Sequence, residues 1–301
     1  MRFSVRAPAS SANLGPGFDA LGLALDLWNS IEIETGGDGI QVSYVGSDAI
    51  GMDGLENYSV RAMRQLAEEH GRELPPFHLT AQIDVPVARG LGSSAAAIVA
   101  GLIAGNYLLD LGLGDDQIFQ AAARMEGHGD NVGAALHGGA ILSVPALGRA
   151  LKLTDGADLD LTTVVYIPDE HGATWVARAE LPQHVALADA AFNVGAASGI
   201  VAGLITGDLG AIAAGMHDRL HEPPRSRLYP HLIPMSEAAR SAGAIGACLS
   251  GAGPTVLALV THENVPAVCR AMQETGRTAG IPGQCRHLPI SPKGAQFISA
   301  P

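Results

Sequence analysis

Apolar and polar positions alternate along much of the first half of the chain, as they do in strands with one buried face. The alternation is clearest at residues 3–7 and 21–27, and it predicts two strands separated by a polar loop, Ser10 to Asp19. Trp28-Asn29 is predicted to turn the chain after the second strand. Further strands are predicted at residues 31–33, 40–44, 79–83 and 140–144.

Other stretches carry apolar residues every three or four positions, which predicts amphipathic helices. In the first half, helices are expected near residues 60–66, 98–109 and 115–126. The second half is predicted to run strand 161–167, helices around 174–180, 187–206, 209–220 and 234–241, strands 245–249 and 255–260, helix 264–275 and strand 285–290. This order is typical of a ferredoxin-like domain, and the predicted fold class is α+β.

The length of 301 residues suits two domains of roughly 150 residues each. A loose, turn-rich stretch, Pro145 to Gly156, lies between the two patterns. We therefore expect one domain at residues 1–150 and a second at residues 151–301.

Composition argues against several classes of function. The net charge is −12 and only 4% of the residues are aromatic, which disfavours a nucleic-acid or anionic-membrane partner. The three cysteines form no C-x-x-C pair, and the N-terminus has no apolar signal core. The longest apolar run, residues 95–105, is shorter than the roughly 20 residues of a membrane span. A soluble, cytoplasmic protein is expected.

One stretch concentrates the candidate chemistry. It runs Pro86-Val87-Ala88-Arg89-Gly90-Leu91-Gly92-Ser93-Ser94-Ala95-Ala96-Ala97 and joins a predicted strand to an apolar helix. Its glycines let the backbone approach a ligand closely, and the first amides of a helix lack intrahelical partners. Such a helix start favours an anion, and we expect it to hold a phosphate.

Two other interpretations of this stretch stay open on the residues alone. It could be a structural corner between strand and helix. Gly90-x-Gly92-x-x-Ala95 also fits a loose dinucleotide fingerprint, although the acidic residues that follow, within 110–116, lie in a polar break. The Walker pattern is absent because no lysine follows the glycines. Backbone amides, hydroxyls, Arg89 and a metal ion would then have to balance the charge of a triphosphate.

Three separated stretches, residues 8–19, 86–97 and 249–255, together resemble the three signatures of the GHMP small-molecule kinases. The first, Pro8-Ala9-Ser10-Ser11-Ala12-Asn13-Leu14-Gly15-Pro16-Gly17-Phe18-Asp19, resembles the homoserine kinases within that superfamily. Residues 126–131, 173–182 and 221–225 also resemble motifs of these kinases. The resemblance covers nearly the whole chain. It implies an N-terminal domain with a left-handed crossover, packed on a ferredoxin-like domain, with ATP and substrate between them.

The resemblance implies an ATP site built around the glycine stretch. A second glycine turn, from the C-terminal half, is expected to approach the phosphates. Asn57 is expected to lie at the nucleotide, and on the residues alone either Asn57 or Ser59 is predicted to cap the helix near residues 60–66. The residues expected to bind ATP are Pro86, Arg89, Gly90, Leu91, Gly92, Ser93, Ser94, Ala95, Asn57, Gly251 and Gly253.

The resemblance also places a set of polar side chains at the acceptor substrate. Arg178 and Arg225 suit the carboxylate of an amino acid, because a guanidinium pairs with a carboxylate bidentately. Asp19 is expected to hold the ammonium or hydroxyl end. The residues expected to bind substrate are Asn13, Asp19, His128, Arg178 and Arg225, and those expected to be catalytic are Asn131 and Arg225.

Two positions depart from the family pattern. Gly129 stands where the family usually has proline, within His128-Gly129-Asp130-Asn131. In some relatives a magnesium-ligating glutamate lies eleven residues before the asparagine, whereas this chain has Gln120, and a neutral amide is a poor magnesium ligand. We therefore expect Mg²⁺ at Glu126, the nearest carboxylate, and at Ser94.

The implied reaction transfers a phosphoryl group from ATP to the side-chain hydroxyl of L-homoserine, a step of threonine biosynthesis. Other GHMP kinases have a catalytic aspartate where Asn131 stands, so positioning rather than a conventional base would carry the rate. The alternatives are a GHMP kinase acting on L-threonine or mevalonate, a catalytically silent ATP or metabolite sensor and, remotely, a nicotinamide-dependent dehydrogenase. The expected partners are a small-molecule substrate, ATP and a second copy of the chain.

Overall fold

The chain is described by a computed structural model that covers residues 1–49 and 56–299. Its strands are β1 (Arg2–Ala12), β2 (Leu21–Thr35), β3 (Ile40–Val45), β4 (Phe77–Gln82), β5 (Ala140–Val144), β6 (Arg149–Thr154), β7 (Thr162–Pro168), β8 (Gly246–Leu249), β9 (Val256–Val260), β10 (Gly283–His287) and β11 (Gln296–Ser299). They form two separate sheets, of seven and four strands.

Helices cover the sheets and connect their strands. They are α1 (Tyr58–Glu69), α2 (Ser93–Leu108), α3 (Asp115–Glu126), α4 (Asp130–His137), α5 (Thr174–Ala179), α6 (Leu187–Thr206), α7 (Leu209–Gly215), α8 (Glu222–Arg225), α9 (Leu232–Ser241) and α10 (Val265–Thr278). Helices α2 and α4 pack on the first sheet, and α9 and α10 pack on the second.

The first sheet has the order β11-β1-β2-β4-β3. Its strands pair antiparallel except β3 and β4, which are parallel and are joined through α1. β5 pairs with the beginning of β2, and β6 pairs with β5. As predicted from its alternating pattern, β2 contributes Leu21, Leu23 and Leu25 to a buried cluster.

The second sheet has the order β10-β7-β9-β8, with every pair antiparallel. Numbered along its own part of the chain, this is the order 4-1-3-2, with helices after the first and third strands. The strand and helix succession is that of a ferredoxin-like unit. The predicted α+β class and the ferredoxin-like half are therefore confirmed.

The chain passes from the first sheet to the second at a different point from the predicted domain division at residue 150. That residue lies inside β6, which pairs with β5 in the first sheet, so the change falls between Thr154 and Thr162. The chain also returns to the first sheet at its end, where β11 pairs with β1. The pattern missed β11 because it is a four-residue edge strand after a polar, turn-rich approach.

Two local predictions in the first half were wrong. Residues 10–12 belong to β1 rather than to a loop, because the hydroxyls of Ser10 and Ser11 find partners inside the protein. Trp28-Asn29 is not a turn, since β2 runs through it and only the pairing register with β1 shifts there. Asn29 instead holds the segment that follows β4, because its Oδ1 accepts from the amides of Asp84 and Val85.

Close packing holds the start of α2 in place. A Cβ atom at Gly101 would overlap the backbone of Ser59, so α1 and α2 approach each other closely there. The hydroxyl of Ser59 also donates to Ala97 O at 2.7 Å. The glycine stretch therefore leads into a helix that is fixed along its first turns.

Among the helices of residues 1–49 and 56–299, α6 alone is long and apolar enough to cross a membrane by length and composition. Asp189 and Asn193 interrupt its apolar residues, so the sequence pattern does not predict a membrane span there. α6 packs on α7, while Leu187, Val194 and Ile205 are largely exposed.

Candidate active site

The glycine stretch forms a loop whose last residue starts α2. Gly92 is the N-cap, with a left-handed φ of 67°, and Ser93 and Ser94 are the first two helical residues. Within the described part of the chain, no side chain caps this end. The first-turn amides are therefore left for an anion, together with the positive end of the helix dipole.

Glycine is required at two positions of this loop by what lies against them. A Cβ atom at Gly92 would overlap the Ser10 hydroxyl of β1, and one at Gly90 would overlap the carbonyl oxygen of Ser250. Both residues also have positive φ, which an L side chain adopts with strain. The loop is thus pressed between the first sheet and a turn of the second.

That turn is residues 250–254, which join β8 to β9. The hydroxyl of Ser250 lies 2.8 Å from Ser11 Oγ and 2.6 Å from Gly90 O, and the amide of Gly251 donates to Ala12 O at 3.2 Å. These bonds bring the second glycine turn against the glycine stretch, and its approach to the phosphates stays a prediction. They also account for Ser250, which an ordinary hairpin turn would not require.

Arg89 is engaged with the backbone rather than directed at an anion. Its guanidinium donates to the carbonyls of Val87, Pro168 and Asp169, at 3.0, 2.7 and 2.6 Å. The side chain thus ties the loop to the end of β7. Of the two predicted caps, Asn57 is the one that caps α1, because its Oδ1 accepts from the amides of Ser59 and Val60.

A cavity of about 240 Å³ runs from this loop to the predicted substrate residues. Of the predicted site residues, Ala95 is buried beneath the loop and Gly253 packs on Tyr229, and neither lines the cavity. The predicted residues that do line it are Asn13, Asp19, Asn57, Pro86, Arg89, Gly90, Leu91, Gly92, Ser93, Ser94, Glu126, His128, Asn131, Arg178, Arg225 and Gly251.

At the far end of the cavity, Asp19 and Arg178 form a bidentate ion pair, with N–O distances of 2.9 and 3.1 Å. Asn13 orders the turn that carries Asp19, because its Oδ1 accepts from the Asp19 amide and its Nδ2 donates to Gly251 O. Asn13 and Asp19 both have positive φ. The pair is about two-fifths exposed, so solvent or a ligand can compete for it.

Arg225 is buried to 2% exposure, and no carboxylate of residues 1–49 or 56–299 is paired with it. It donates to Ala177 O at 3.1 Å and Gly251 O at 3.2 Å, and it contacts His221 Nδ1 at 3.1 Å. Burial, followed by the charge of Arg178, lowers the pKa of Arg225. A buried guanidinium that faces a cavity with so little compensation favours an anionic ligand.

Sequence reasoning missed two residues at this end. The Phe18 ring lies 5.6 Å from the Arg178 guanidinium and 5.5 Å from that of Arg225. Asp130 is buried and contacts His128 Nδ1 at 2.5 Å. Both residues stand inside motifs that the sequence singles out, and only their neighbours were assigned roles.

The environment of His128 favours a positive charge. Burial lowers its pKa, but the hydrogen bond and charge of Asp130, with the charges of Glu126 and Asp19, outweigh burial, so the pKa lies above its ordinary value. Ligand atoms of Asp19, His128 and Asp130 all lie within 4.8 Å of one another. The two carboxylates make this part of the cavity suitable for an ammonium group.

Asn131 and Glu126 face the region between the two ends of the cavity. Asn131 Oδ1 accepts from Ser10 Oγ at 2.9 Å. The Ser94 hydroxyl donates to Glu126 Oε1 at 2.7 Å, so the two residues predicted for Mg²⁺ lie together. Their oxygen donors are of the type that Mg²⁺ prefers. Gln120 does not line the cavity.

Comparisons with known proteins identify the family of the chain. The family model for the GHMP kinases N terminal domain matches residues 57–139, and that for the GHMP kinases C terminal domain matches residues 200–278. The chain is 39% identical to the homoserine kinase of Desulfitobacterium hafniense over 98% of this chain and 99% of that one. It is 40% identical to the homoserine kinase of Deinococcus radiodurans, over 97% and 95%.

Solved structures agree with the sequence relatives. The crystal structure of homoserine kinase from Cytophaga hutchinsonii superposes with a TM-score of 0.88 at 30% identity, covering 99% of this chain and 97% of that one. The L. major mevalonate kinase, solved in complex with R-mevalonate, superposes with a TM-score of 0.69 at 18% identity over 96% of each chain, and shares the fold. The chain belongs to the homoserine kinase family of the GHMP kinases.

Proposed function

We propose that the protein transfers the γ-phosphoryl group of ATP to the side-chain hydroxyl of L-homoserine, giving ADP and O-phospho-L-homoserine. The observation that carries this proposal is one cavity with an open helix N-terminus at one end and two arginines facing two carboxylates at the other. The first end suits a polyphosphate, and the second suits an α-amino acid.

The Asp19–Arg178 pair supports a zwitterionic substrate. The positive and negative charges of this pair complement the carboxylate and the ammonium group of an amino acid. A bound homoserine would therefore replace one ion pair by two. Its carboxylate would pair with Arg178 and Arg225, and its ammonium group would pair with Asp19. Asp130 and His128 lie beside this seat. A hydroxy acid such as mevalonate carries no ammonium group and would leave Asp19 without its partner.

The chain's own residues act mainly by position and charge. In the reaction, the homoserine hydroxyl oxygen forms a bond to the γ-phosphorus while the bond from that phosphorus to the ADP oxygen breaks, and the hydroxyl proton leaves on the transferred phosphate. Amides of Gly92, Ser93 and Ser94 hold the phosphates. Asn131 orients the hydroxyl or the transferred group. Because phosphoryl transfer has a loose transition state, such positioning carries much of the rate.

Magnesium fits the residues present at the phosphate end. Glu126 and Ser94 supply a carboxylate and a hydroxyl oxygen, already in contact with each other. Bound there with the nucleotide, Mg²⁺ would neutralise phosphate charge during transfer.

ADP release with ATP and Mg²⁺ tests the proposal across a panel of homoserine, threonine, mevalonate and galactose. We expect turnover with homoserine, and kcat/KM at least about 100-fold lower with the other three, because each leaves charged groups of the site unpaired or misplaces the hydroxyl. Preference for threonine or mevalonate would identify that compound, instead of homoserine, as the substrate. ATP binding without turnover on any of the four would indicate a sensor.

We place the protein in the cytoplasm, with no nucleic-acid or membrane partner, and as a homodimer. The net charge of −12 supports the exclusions. The exposed apolar residues of α6 support a protein partner.

A further inference from the structure

The side chain of Asn131 is held from behind by a residue that does not itself line the cavity. Ser10, in β1, is fully buried and donates from Oγ to Asn131 Oδ1 at 2.9 Å. Asn131 is 9% exposed and lines the cavity, whereas Ser10 does not. The Ser10 hydroxyl therefore binds the Asn131 amide oxygen from the buried side. This leaves the Nδ2 group of Asn131 as the donor available to the cavity.

Ser10 also fixes the glycine stretch. Its amide donates to Leu91 O at 3.0 Å, and a Cβ atom at Gly92 would overlap its hydroxyl and lie 3.0 Å from Asn131 Oδ1. The loop backbone thus packs directly on the Ser10–Asn131 hydrogen bond. One residue of β1 sets the distance between the phosphate-binding amides and the Asn131 amide.

We propose that Ser10 is a positioning residue for phosphoryl transfer, which holds the Asn131 amide in register with the Gly92 helix start so that Nδ2 donates to the reacting oxygen. The inference rests on the proposed function, in which Asn131 orients the reacting groups. An asparagine side chain without this bond has other rotamers available, and misplacement by about 1 Å can cost on the order of 100-fold in rate.

A double-mutant cycle on kcat tests the assignment with ATP, Mg²⁺ and homoserine. We expect N131A to lower kcat about 100-fold and S10A about tenfold, with both KM values within about twofold of wild type for S10A. In the N131A background, S10A should lower kcat by no more than about twofold, because the group it positions is already gone.

S11A is the matched control. Ser11 is the next residue of β1 and equally buried, but its hydroxyl contacts Ser250 instead of Asn131. We expect any effect of S11A on kcat to be the same in the wild-type and N131A backgrounds. If S10A does not fold, S10C replaces it in the cycle, since a thiol keeps the volume and is a weak donor.

Additive effects of S10A and N131A on kcat would overturn the assignment, as would a S10A variant that changes only the KM of ATP. Wild-type turnover with homoserine is measured in the same series. Its absence would contradict the proposed function itself, whereas an additive cycle on an active enzyme contradicts only the role of Ser10.

Discussion

Arg178 and Arg225, the two arginines predicted to bind the substrate, lie in different environments. Arg178 already has a carboxylate partner and is partly exposed, whereas Arg225 is buried against carbonyls. In the proposed function, Arg178 would exchange partners when a zwitterion binds, and Arg225 would gain one. Sequence alone could propose both as carboxylate ligands, but the Asp19–Arg178 pair depends on residues 159 positions apart and appears only in the folded chain.

The first prediction follows from this exchange. R178A should raise the KM for homoserine by roughly tenfold or more, because a charge-assisted bidentate contact is worth about 1.5–3 kcal/mol. The KM for ATP and kcat should stay within about twofold. Steady-state kinetics check this, with R227A as the control, since Arg227 is exposed and pairs with Glu180 outside the cavity. An effect on ATP alone would contradict the carboxylate role.

The second prediction distinguishes a donor from a base at residue 131. N131D keeps the oxygen that Ser10 binds and replaces the Nδ2 donor by a second acceptor, so kcat should fall about 100-fold or more. Measured kcat across pH decides the matter. A variant with unchanged or higher kcat would show that a carboxylate can serve as base in this site, as in other GHMP kinases.

At the scale of elements, the sequence predicted the glycine loops of the cavity more accurately than it predicted the strands that support them. The glycine stretch, its helix and the 250–254 turn lie where the pattern placed them, and membership of the GHMP kinases is confirmed by the family matches. The local pattern predicts a loop at residues 10–12 because serine side chains are mostly exposed in folded proteins. Their hydroxyl partners, Asn131 and Ser250, come from distant parts of the chain, and no local pattern contains them.

The third prediction concerns contact between the two glycine loops. G90A places a Cβ atom against Ser250 O, so the loops must separate, and the KM for ATP should rise about tenfold or more. G112A is the control, because Gly112 also has positive φ but nothing within 4 Å of the added atom. Both variants should lose about 1–2 kcal/mol of stability from backbone strain. An unchanged KM for ATP in G90A would mean that the contact between the loops does not shape the nucleotide site.

The fourth prediction concerns Glu222, which connects α8 to β8 by accepting from the Leu249 amide. Burial raises its pKa to about 7, and the Leu249 hydrogen bond offsets this only in part. The folded protein therefore keeps a proton here that the unfolded chain, with a pKa of 4.5, has released. The contribution of Glu222 to the free energy of unfolding falls as pH rises from about 4.5 to 7 and is constant above that range.

E222Q removes this pH dependence while keeping an oxygen for Leu249. We expect it to be as stable as wild type near pH 4 and more stable at pH 8, by on the order of 2 kcal/mol. Urea unfolding at pH 4, 6 and 8 measures the difference, with E237Q on the exposed side of α9 as the control. A difference that does not change with pH would contradict the raised pKa.

At the scale of the whole molecule, the cavity lies where the two sheets meet, and bonds from both hold it. Ser250 and Arg89 connect the glycine stretch to the second sheet, and the Asp19–Arg178 pair connects the far end of the cavity. Neither sheet contains a complete site. Pattern analysis can predict two units and the motifs in each, but which surfaces meet is decided by packing between residues far apart in sequence.

The last prediction concerns the outer face of α6. Its exposed residues Leu187, Val194 and Ile205, at 85, 68 and 61% exposure, fall on one stripe of the helix, since their spacing of seven and eleven residues is close to two and three turns. The hydroxyl of Ser198, on the same stripe, donates back to Val194 O. Such an uncharged face, about 30 Å long, suits a second copy of the helix packed across a two-fold axis.

V194E should therefore shift the protein from dimer to monomer in size-exclusion chromatography with light scattering, because a carboxylate at the centre of an apolar contact loses its hydration. V45E is the control, since Val45 is also exposed but lies in β3, at the edge of the first sheet. A wild-type protein that is monomeric at micromolar concentration would contradict the dimer. Loss of binding to anionic vesicles in V194E, with unchanged mass, would assign the face to a membrane instead.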